Sequence, residues 1–323
     1  MPTYVEAIRE GIREEMERDP NVFLLGEDIG IYGGAFKVTA GMLEQFGDRR
    51  VLDTPISESA IVGAAIGASF MGLRPVAEIQ FADFISCGFD QIVNFAAKCR
   101  YRWNAPAPIV LRAPCGGGIH GGPFHSQQNE AWFAHTPGLN VVLPATARDA
   151  KGLIKSAIRD NDPVIFYEHK ALYRRIKDDI LDDGDYTVPI GKANIFREGK
   201  HLSIITYSAM VHVAAEVAER MAKEGFSIEI VDLRTLTPLD EETILASVRK
   251  TSKVIVLHEA NLTGGFGGEI AARITEKAFE YLDGPVVRLA APDTPVPFAP
   301  ALEEAYLPNS SKLEEKVRWL ARY

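Results

Sequence analysis

Short apolar runs alternate with helical segments along almost the whole chain, and this alternation constrains the fold more than any single motif. The strand candidates in the first half are Val22 to Gly26, Val51 to Asp53, Arg74 to Gln80, Ile109 to Arg112, 140–143 and 163–167. Helical patterns fall between them, over 3–18, 37–46, 59–71, 82–101, 129–134 and 147–159. The first has Thr3 as N-cap, Glu6 three places on, and Val5, Ile8, Ile12 and Met16 on one face. Parallel strands need crossover connections and are covered on both faces, so they read as continuous apolar runs. The rhythm is lost over 174–200, where charge accumulates at Lys177-Asp178-Asp179 and Asp182-Asp183-Gly184-Asp185. It then restarts, with strands at 202–206, 227–232, 253–258 and 286–289 and helices at 209–223, 240–249, 267–280 and 310–321. A pattern that stops and restarts predicts two α/β domains, over 1–185 and 186–323.

Bulk properties narrow the function classes. With 323 residues, 46% hydrophobic and 24% charged, the chain can build two cores. A net charge of -9 argues against nucleic-acid binding, which calls for a basic surface. Three cysteines, Cys87, Cys99 and Cys115, have no metal-ligand spacing and suit a reducing compartment. The longest small-apolar run, Ala60 to Gly72, is too short to span a bilayer. The N-terminus opens an acidic amphipathic helix, so a cytoplasmic location is expected, or a mitochondrial matrix one if a transit peptide has been removed.

The stretch Asp53-Thr-Pro-Ile-Ser-Glu58 runs from a strand through a turn into a helix made almost wholly of small or apolar residues. Glu58 has two readings. It is a first-turn carboxylate favoured by the helix dipole behind a Ser57 N-cap, or it meets a ligand nitrogen at the mouth of a dry site. Gly63, Ala64, Gly67 and Ala68 would let another helix approach closely, as at a subunit contact. His125 lies in the Gly-rich loop 115–130 after a buried strand, where it is either a general acid or a loop-ordering hydrogen-bonder. Gln80 and Phe84 flank the turn after strand 74–80. They either bond to and stack on a flat heterocycle or are a surface Gln and a core Phe. Gly264-Gly265-Phe266-Gly267-Gly268 lacks the order of a dinucleotide fingerprint and suits close packing of helix on strand. Asp182-Asp-Gly-Asp185 lacks the ligand series of a calcium loop and reads as a solvated linker. The chain has no Gly-Asp-Gly segment with a downstream Asn that could hold a metal-diphosphate.

Several segments agree, in order, with one family: Leu24-Leu-Gly-Glu-Asp28, Pro55-Ile-Ser-Glu58, Glu78-Ile-Gln-Phe-Ala-Asp83, Phe89-Asp-Gln-Ile-Val-Asn94, Phe124-His-Ser-Gln127 and Ala134-His-Thr-Pro-Gly138. Asp160-Asn-Asp-Pro163, Leu172-Tyr173-Arg174 and Asp232-Leu-Arg-Thr-Leu-Thr-Pro-Leu-Asp240 continue the agreement. The chain resembles the β subunit of the E1 component of 2-oxo acid dehydrogenase complexes, and its His-Ser-Gln segment is more similar to the branched-chain type than to the pyruvate type. The resemblance implies a pyrimidine-type thiamine-diphosphate-binding domain followed by a transketolase C-terminal-like domain. It also implies an α2β2 heterotetramer in which thiamine diphosphate lies between an α and a β chain. The α chain would hold Mg2+ and the diphosphate, and the β chain the aminopyrimidine, which accounts for the missing metal-diphosphate segment.

By the same resemblance, Glu58 is expected to bond the aminopyrimidine ring nitrogen and favour the imino tautomer. Ile56 and Gln80 would line that pocket and Phe84 would stack on the ring, where many relatives carry Tyr. His125 would donate or position a proton while the acyl group passes to a lipoyl sulfur on the E2 acyltransferase partner. Main-chain oxygens of Ala107, Ile109, Ala157, Asp160 and Asp162 match a site for a monovalent cation such as K+. The implied reaction is oxidative decarboxylation of a branched-chain 2-oxo acid with reductive acylation of the lipoyl group. Pyruvate and acetoin remain open as substrates. A single-chain thiamine enzyme is disfavoured by the missing metal-diphosphate segment. A non-catalytic scaffold subunit is disfavoured by Glu58, Gln80 and His125 together.

Overall fold

A computed structural model describes residues 1–179 and 184–323. Asp182 and Asp183 of the acidic stretch thus lie outside the described residues. The chain divides into two compact units, one of residues 1–115 with 132–190, the other of 116–131 with 191–323. The second break falls between Ile190 and Gly191, beyond the boundary expected after 185. The loop 116–131, expected within the first domain, groups with the second unit.

The first unit is built on six parallel strands: β1 (Val22–Gly26), β2 (Val51–Asp53), β3 (Arg74–Glu78), β4 (Val110–Cys115), β5 (Asn140–Val142) and β6 (Val164–His169). Their order across the sheet is β5-β6-β4-β3-β1-β2. From β1 the chain moves outward to β2, then returns past β1 to β3 and continues the other way. The direction of winding therefore reverses between β1 and β3. In open parallel sheets a crevice opens at the carboxyl ends of the strands at such a reversal. Gly26 is paired with both Asp53 and Glu78, so the segments leaving β1, β2 and β3 start at one level.

Helix α1 (Tyr4–Arg18) begins with the expected capping box of Thr3 and Glu6. A Cβ at Gly11 would lie 2.6 Å from Ile154 Cγ2, so this glycine allows the close approach of α6 (Ala147–Arg159). Of the helix expected over 37–46, only α2 (Met42–Phe46) forms. Helix α3 (Glu58–Phe70) is the small-residue helix, one residue earlier than expected at its start. Ser57 is its N-cap residue, yet its side chain makes no capping hydrogen bond.

The single helix expected over 82–101 is broken. It runs as a 3-10 segment Ala82–Gly88, a π segment Gln91–Phe95, a 3-10 turn Ala96–Lys98 and helix α4 (Cys99–Trp103). A Cβ at Gly88 would lie 2.9 Å from Val62 Cγ2 of α3, so the segment is drawn against that helix. Packing on α3 sets this backbone, and periodicity alone carries no trace of it. Helix α5 (Ala131–Ala134) is a single turn.

The second unit contains β7 (Asn194–Arg197), β8 (Leu202–Thr206), β9 (Ile228–Asp232), a short β10 (Thr235–Thr237), β11 (Val254–Asn261) and β12 (Val287–Ala291). Five of them form a sheet in the order β12-β11-β8-β9-β7. All neighbours are parallel except β7, which pairs antiparallel with β9 at the edge. This edge strand lies within the stretch expected to be a connection. It is only half-buried, so its apolar pattern is weak. Helices α7 (Met210–Ala222), α8 (Glu241–Thr251), α9 (Gly267–Ala278) and α11 (Ser310–Leu320) follow the expected pattern, while α10 (Pro300–Tyr306) is additional. Gly265 and Gly267 serve packing: Cβ atoms there would lie 2.5 Å from His258 Cε1 and 2.4 Å from His258 Cδ2. Among the described residues no helix is long and apolar enough to cross a membrane.

Candidate active site

The crevice at the winding reversal of the first unit gathers acidic groups. Glu27 and Asp28 follow β1 directly, and Gln80 follows β3. Gln80 Nε2 donates to Asp28 Oδ2 at 3.4 Å, bridging the segments that leave β1 and β3. Glu58 opens α3 on the connection from β2 to β3, and it is buried. Glu27 is buried too, and its Oε1 has no hydrogen-bond partner. Burial pushes the Glu27 carboxyl up, and the neighbouring charges of Glu58, Asp28 and Glu78 push it further. Two buried carboxylates within each other's field, one at a helix N-terminus, form an environment that favours a ligand carrying a proton or positive charge.

Phe84 is half-buried and meets Phe81 edge to face at 6.2 Å between ring centres. Phe81 in turn meets Phe36 edge to face at 5.4 Å. Ile56 is 82% exposed on the turn before α3. Glu58, Ile56, Gln80 and Phe84 thus all belong to the first unit. Glu27 was not singled out from sequence. Its weight comes from its burial beside Glu58, which depends on how α3 meets the end of β1.

Beneath this crevice lies a buried ion network. Arg112 of β4 is 1% exposed. It donates from Nε to Glu168 Oε1 at 2.6 Å and from Nη2 to Glu168 Oε2 at 2.7 Å, and pairs with Glu78 through Nη1. Tyr173 donates to Glu168 Oε2 at 2.7 Å. Burial raises the Glu78 carboxyl, and Arg112 works against that rise. The strand expected to be wholly apolar therefore carries a charge that its partners satisfy.

His125 belongs to the second unit. Its backbone N–H donates to Gly122 O at 3.4 Å, and the loop closes on itself where Gly116 N–H donates to Gln127 O at 3.0 Å. A Cβ at Gly121 would lie 2.9 Å from His125 Cβ, so the loop folds tightly around the histidine.

The residues expected to offer main-chain oxygens to a monovalent cation do come together, since Ala107 N–H donates to Asn161 O at 3.1 Å. Four of these oxygens accept a hydrogen bond within the chain. Ala107 O accepts from Ile109, Ile109 O from Val164, and Ala157 O from Asp160. Asp160 O accepts from Arg74 Nη1 at 2.8 Å. Arg100 Nε donates to the Asp162 carboxylate at 2.7 Å. Among the described residues no group of three or more His, Cys, Asp or Glu could hold a metal ion.

Comparison with known proteins matches the chain along nearly its whole length. Residues 1–176 match the transketolase pyrimidine-binding domain, and residues 191–313 the transketolase C-terminal domain. The chain is 52% identical to the 2-oxoisovalerate dehydrogenase subunit beta of Bacillus subtilis, covering 99% of each chain. It is 45% identical to the pyruvate dehydrogenase E1 component subunit beta of the same organism, covering 98% of this chain and 97% of that one.

The chain belongs to the E1 β-subunit family of 2-oxo acid dehydrogenases. Association with thiamine diphosphate goes with that family. A further relative, the acetoin:2,6-dichlorophenolindophenol oxidoreductase subunit beta of Cupriavidus necator, is 48% identical over 97% of this chain and 95% of that one. The α/β fold is also that of a solved split-gene transketolase, an inactive β4 tetramer, with a TM-score of 0.82 and 23% identity over 99% of this chain and 98% of that one.

Proposed function

We propose that this chain is the β half of a thiamine-diphosphate-dependent 2-oxo acid dehydrogenase acting on a branched-chain 2-oxo acid in the cytoplasm. The observation that carries the reading is Glu58, a buried carboxylate opening α3 beside a second buried carboxylate with an orphaned oxygen. That donor set fits the aminopyrimidine half of the cofactor. When bound, thiamine diphosphate supplies the electron sink that decarboxylation of a 2-oxo acid requires.

In this reading Glu58 holds a proton at the ring nitrogen, and burial strengthens that hydrogen bond. Glu27, its carboxyl raised by burial and by the charges of Glu58, Asp28 and Glu78, adds a second acidic group beside the ring. Gln80 and Ile56 line the pocket and Phe84 offers a ring face. His125 acts later, donating or positioning a proton as the acyl group passes to a lipoyl sulfur of the E2 partner. Magnesium and the diphosphate fall to an α chain in an α2β2 assembly.

The surface of the first unit supports such a partner. Ala64 and Gly67 on α3 are exposed. Phe70, Phe95 and Trp103 form an exposed chain of ring contacts, with centres 6.2 and 5.5 Å apart, and Phe89 meets Trp132 at 6.3 Å. Contiguous exposed apolar surface of this kind marks an interaction face.

Glu58→Gln tests the reading. In the assembled enzyme this variant is expected to lose about 100-fold or more in turnover while still assembling, because it removes a proton-holding group. Turnover like that of the unaltered enzyme would sink the assignment. Parallel assays with 3-methyl-2-oxobutanoate, pyruvate and acetoin decide the substrate.

A further inference from the structure

The second sheet has a winding reversal of its own. From β8 the chain moves to β9, then returns past β8 to β11, so the crevice opens at the carboxyl ends of β8 and β11. The loop 116–131 is bonded to residues at those two strand ends. Tyr207, just after β8, donates its hydroxyl to Glu130 Oε1 at 2.6 Å. Glu259, near the end of β11, accepts from Gly117 N–H at 2.7 Å.

A further hold comes from Glu303 on α10. Its Oε2 accepts from His120 N–H at 3.2 Å and lies 2.7 Å from His120 Nδ1. Its Oε1 is buried without a hydrogen-bond partner, and a Cβ at Gly117 would lie 3.3 Å from it. The Glu303 side chain is 1% exposed, whereas His120 is half exposed, so the carboxylate is the fixed end of the pair. His120 takes a left-handed backbone, φ 58°. This conformation is unfavourable for most side chains and persists where surrounding contacts impose it. The turn that follows is packed as well, since a Cβ at Gly122 would lie 2.6 Å from Phe298 Cδ2. Gly121, between them, is the residue against which His125 is folded.

We propose that Glu303 is a positioning residue for His125: through His120 it sets the loop conformation that presents the imidazole. This rests on the role given above to His125 in acyl transfer. A buried carboxylate on two loop contacts resists displacement because an unpaired one is costly. Small displacements of a proton-transferring group have large kinetic effects.

The test uses the enzyme assembled with its α chain and a lipoyl-domain acceptor. Glu303→Ala is compared with Glu303→Gln, which keeps an acceptor oxygen, and with His125→Ala. His120→Asn, which tolerates the left-handed backbone, covers the case in which Glu303→Ala does not fold. The expected result is faster hydrogen exchange at the His120 amide and lipoyl acylation reduced about 10- to 100-fold. Decarboxylation measured with an artificial acceptor should stay nearly unchanged, and Glu303→Gln should recover most of the acylation. Normal acylation in the Glu303 and His120 variants, with loss in His125→Ala, overturns the positioning role and leaves the function of His125 standing. Normal acylation in His125→Ala as well overturns the role of His125, and the positioning of it by Glu303 falls with it.

Discussion

Glu58 and Glu27 differ in how much of their role a sequence discloses. Glu58 stands out because it sits between a turn and a helix of small residues, so its position at a helix N-terminus is a local property. Glu27 follows an apolar strand, as many surface acids do. Only the meeting of α3 with the end of β1 buries it beside Glu58 and raises its carboxyl. Glu130 belongs to the same class in the second unit. Desolvation pushes its carboxyl up to about 7, with Tyr207 as hydrogen-bond partner and Glu259 as the nearby charge. His258, stacked on Tyr207, is lowered by burial to about 4 and stays neutral near pH 7. A carboxyl raised in the folded state contributes stability that is full below its unfolded value and is lost as pH rises through its folded value. The window is thus roughly pH 4.5 to 7, and the contribution about 3 kcal/mol. Glu130→Gln is expected to remove that decline, so that the variant is the more stable protein at pH 8. Thermal unfolding across this range checks it, and a variant with the same decline as the parent would contradict it.

At the scale of elements, β4 carries the sharpest contrast with its apolar pattern. Arg112 sits wholly buried in a strand flanked by Val110, Leu111 and Ala113. Burial acts to lower its affinity for a proton, and the paired charges of Glu168 and Glu78 outweigh it. Such a pair is weak evidence for net stability, because desolvation offsets attraction. Removing one partner is a different matter, since it strands the remaining charges in the core. Arg112→Ala is expected to destabilise by about 3–5 kcal/mol, which a shift of the urea midpoint would register. A shift near zero would mean that water or a rearranged cation reaches Glu78 and Glu168. The broken segment 82–103 teaches the same lesson about packing. Its composition reads as one helix, while the approach of Gly88 to Val62 of α3 selects a backbone of 3-10, α and π turns.

For the molecule as a whole, the alternation of strands and helices and its interruption were sufficient to infer two α/β units. They were not sufficient to assign the loop 116–131, which follows β4 in the chain yet groups with the second unit. The proposed division of the cofactor between two chains has a direct consequence. Decarboxylation of 3-methyl-2-oxobutanoate with thiamine diphosphate and magnesium should require the α chain and be absent from this chain alone. Turnover by the isolated chain would show that the metal-diphosphate site lies here after all.

The strand β7, the helix α10 and the breaks within 82–103 leave no clear local pattern, whereas the outline of alternating strands and helices, the position of Glu58 at the start of α3 and the family are legible along the chain. These rest on periodicity, capping residues and motifs that are local along the chain. The tertiary structure alone decided that Glu27 is a buried neighbour of Glu58, that Arg112 bridges two carboxylates, and that the His125 loop is bonded to Tyr207, Glu259 and Glu303. Each of these depends on residues far apart in the chain, and burial and charge pairing are properties of what surrounds a side chain.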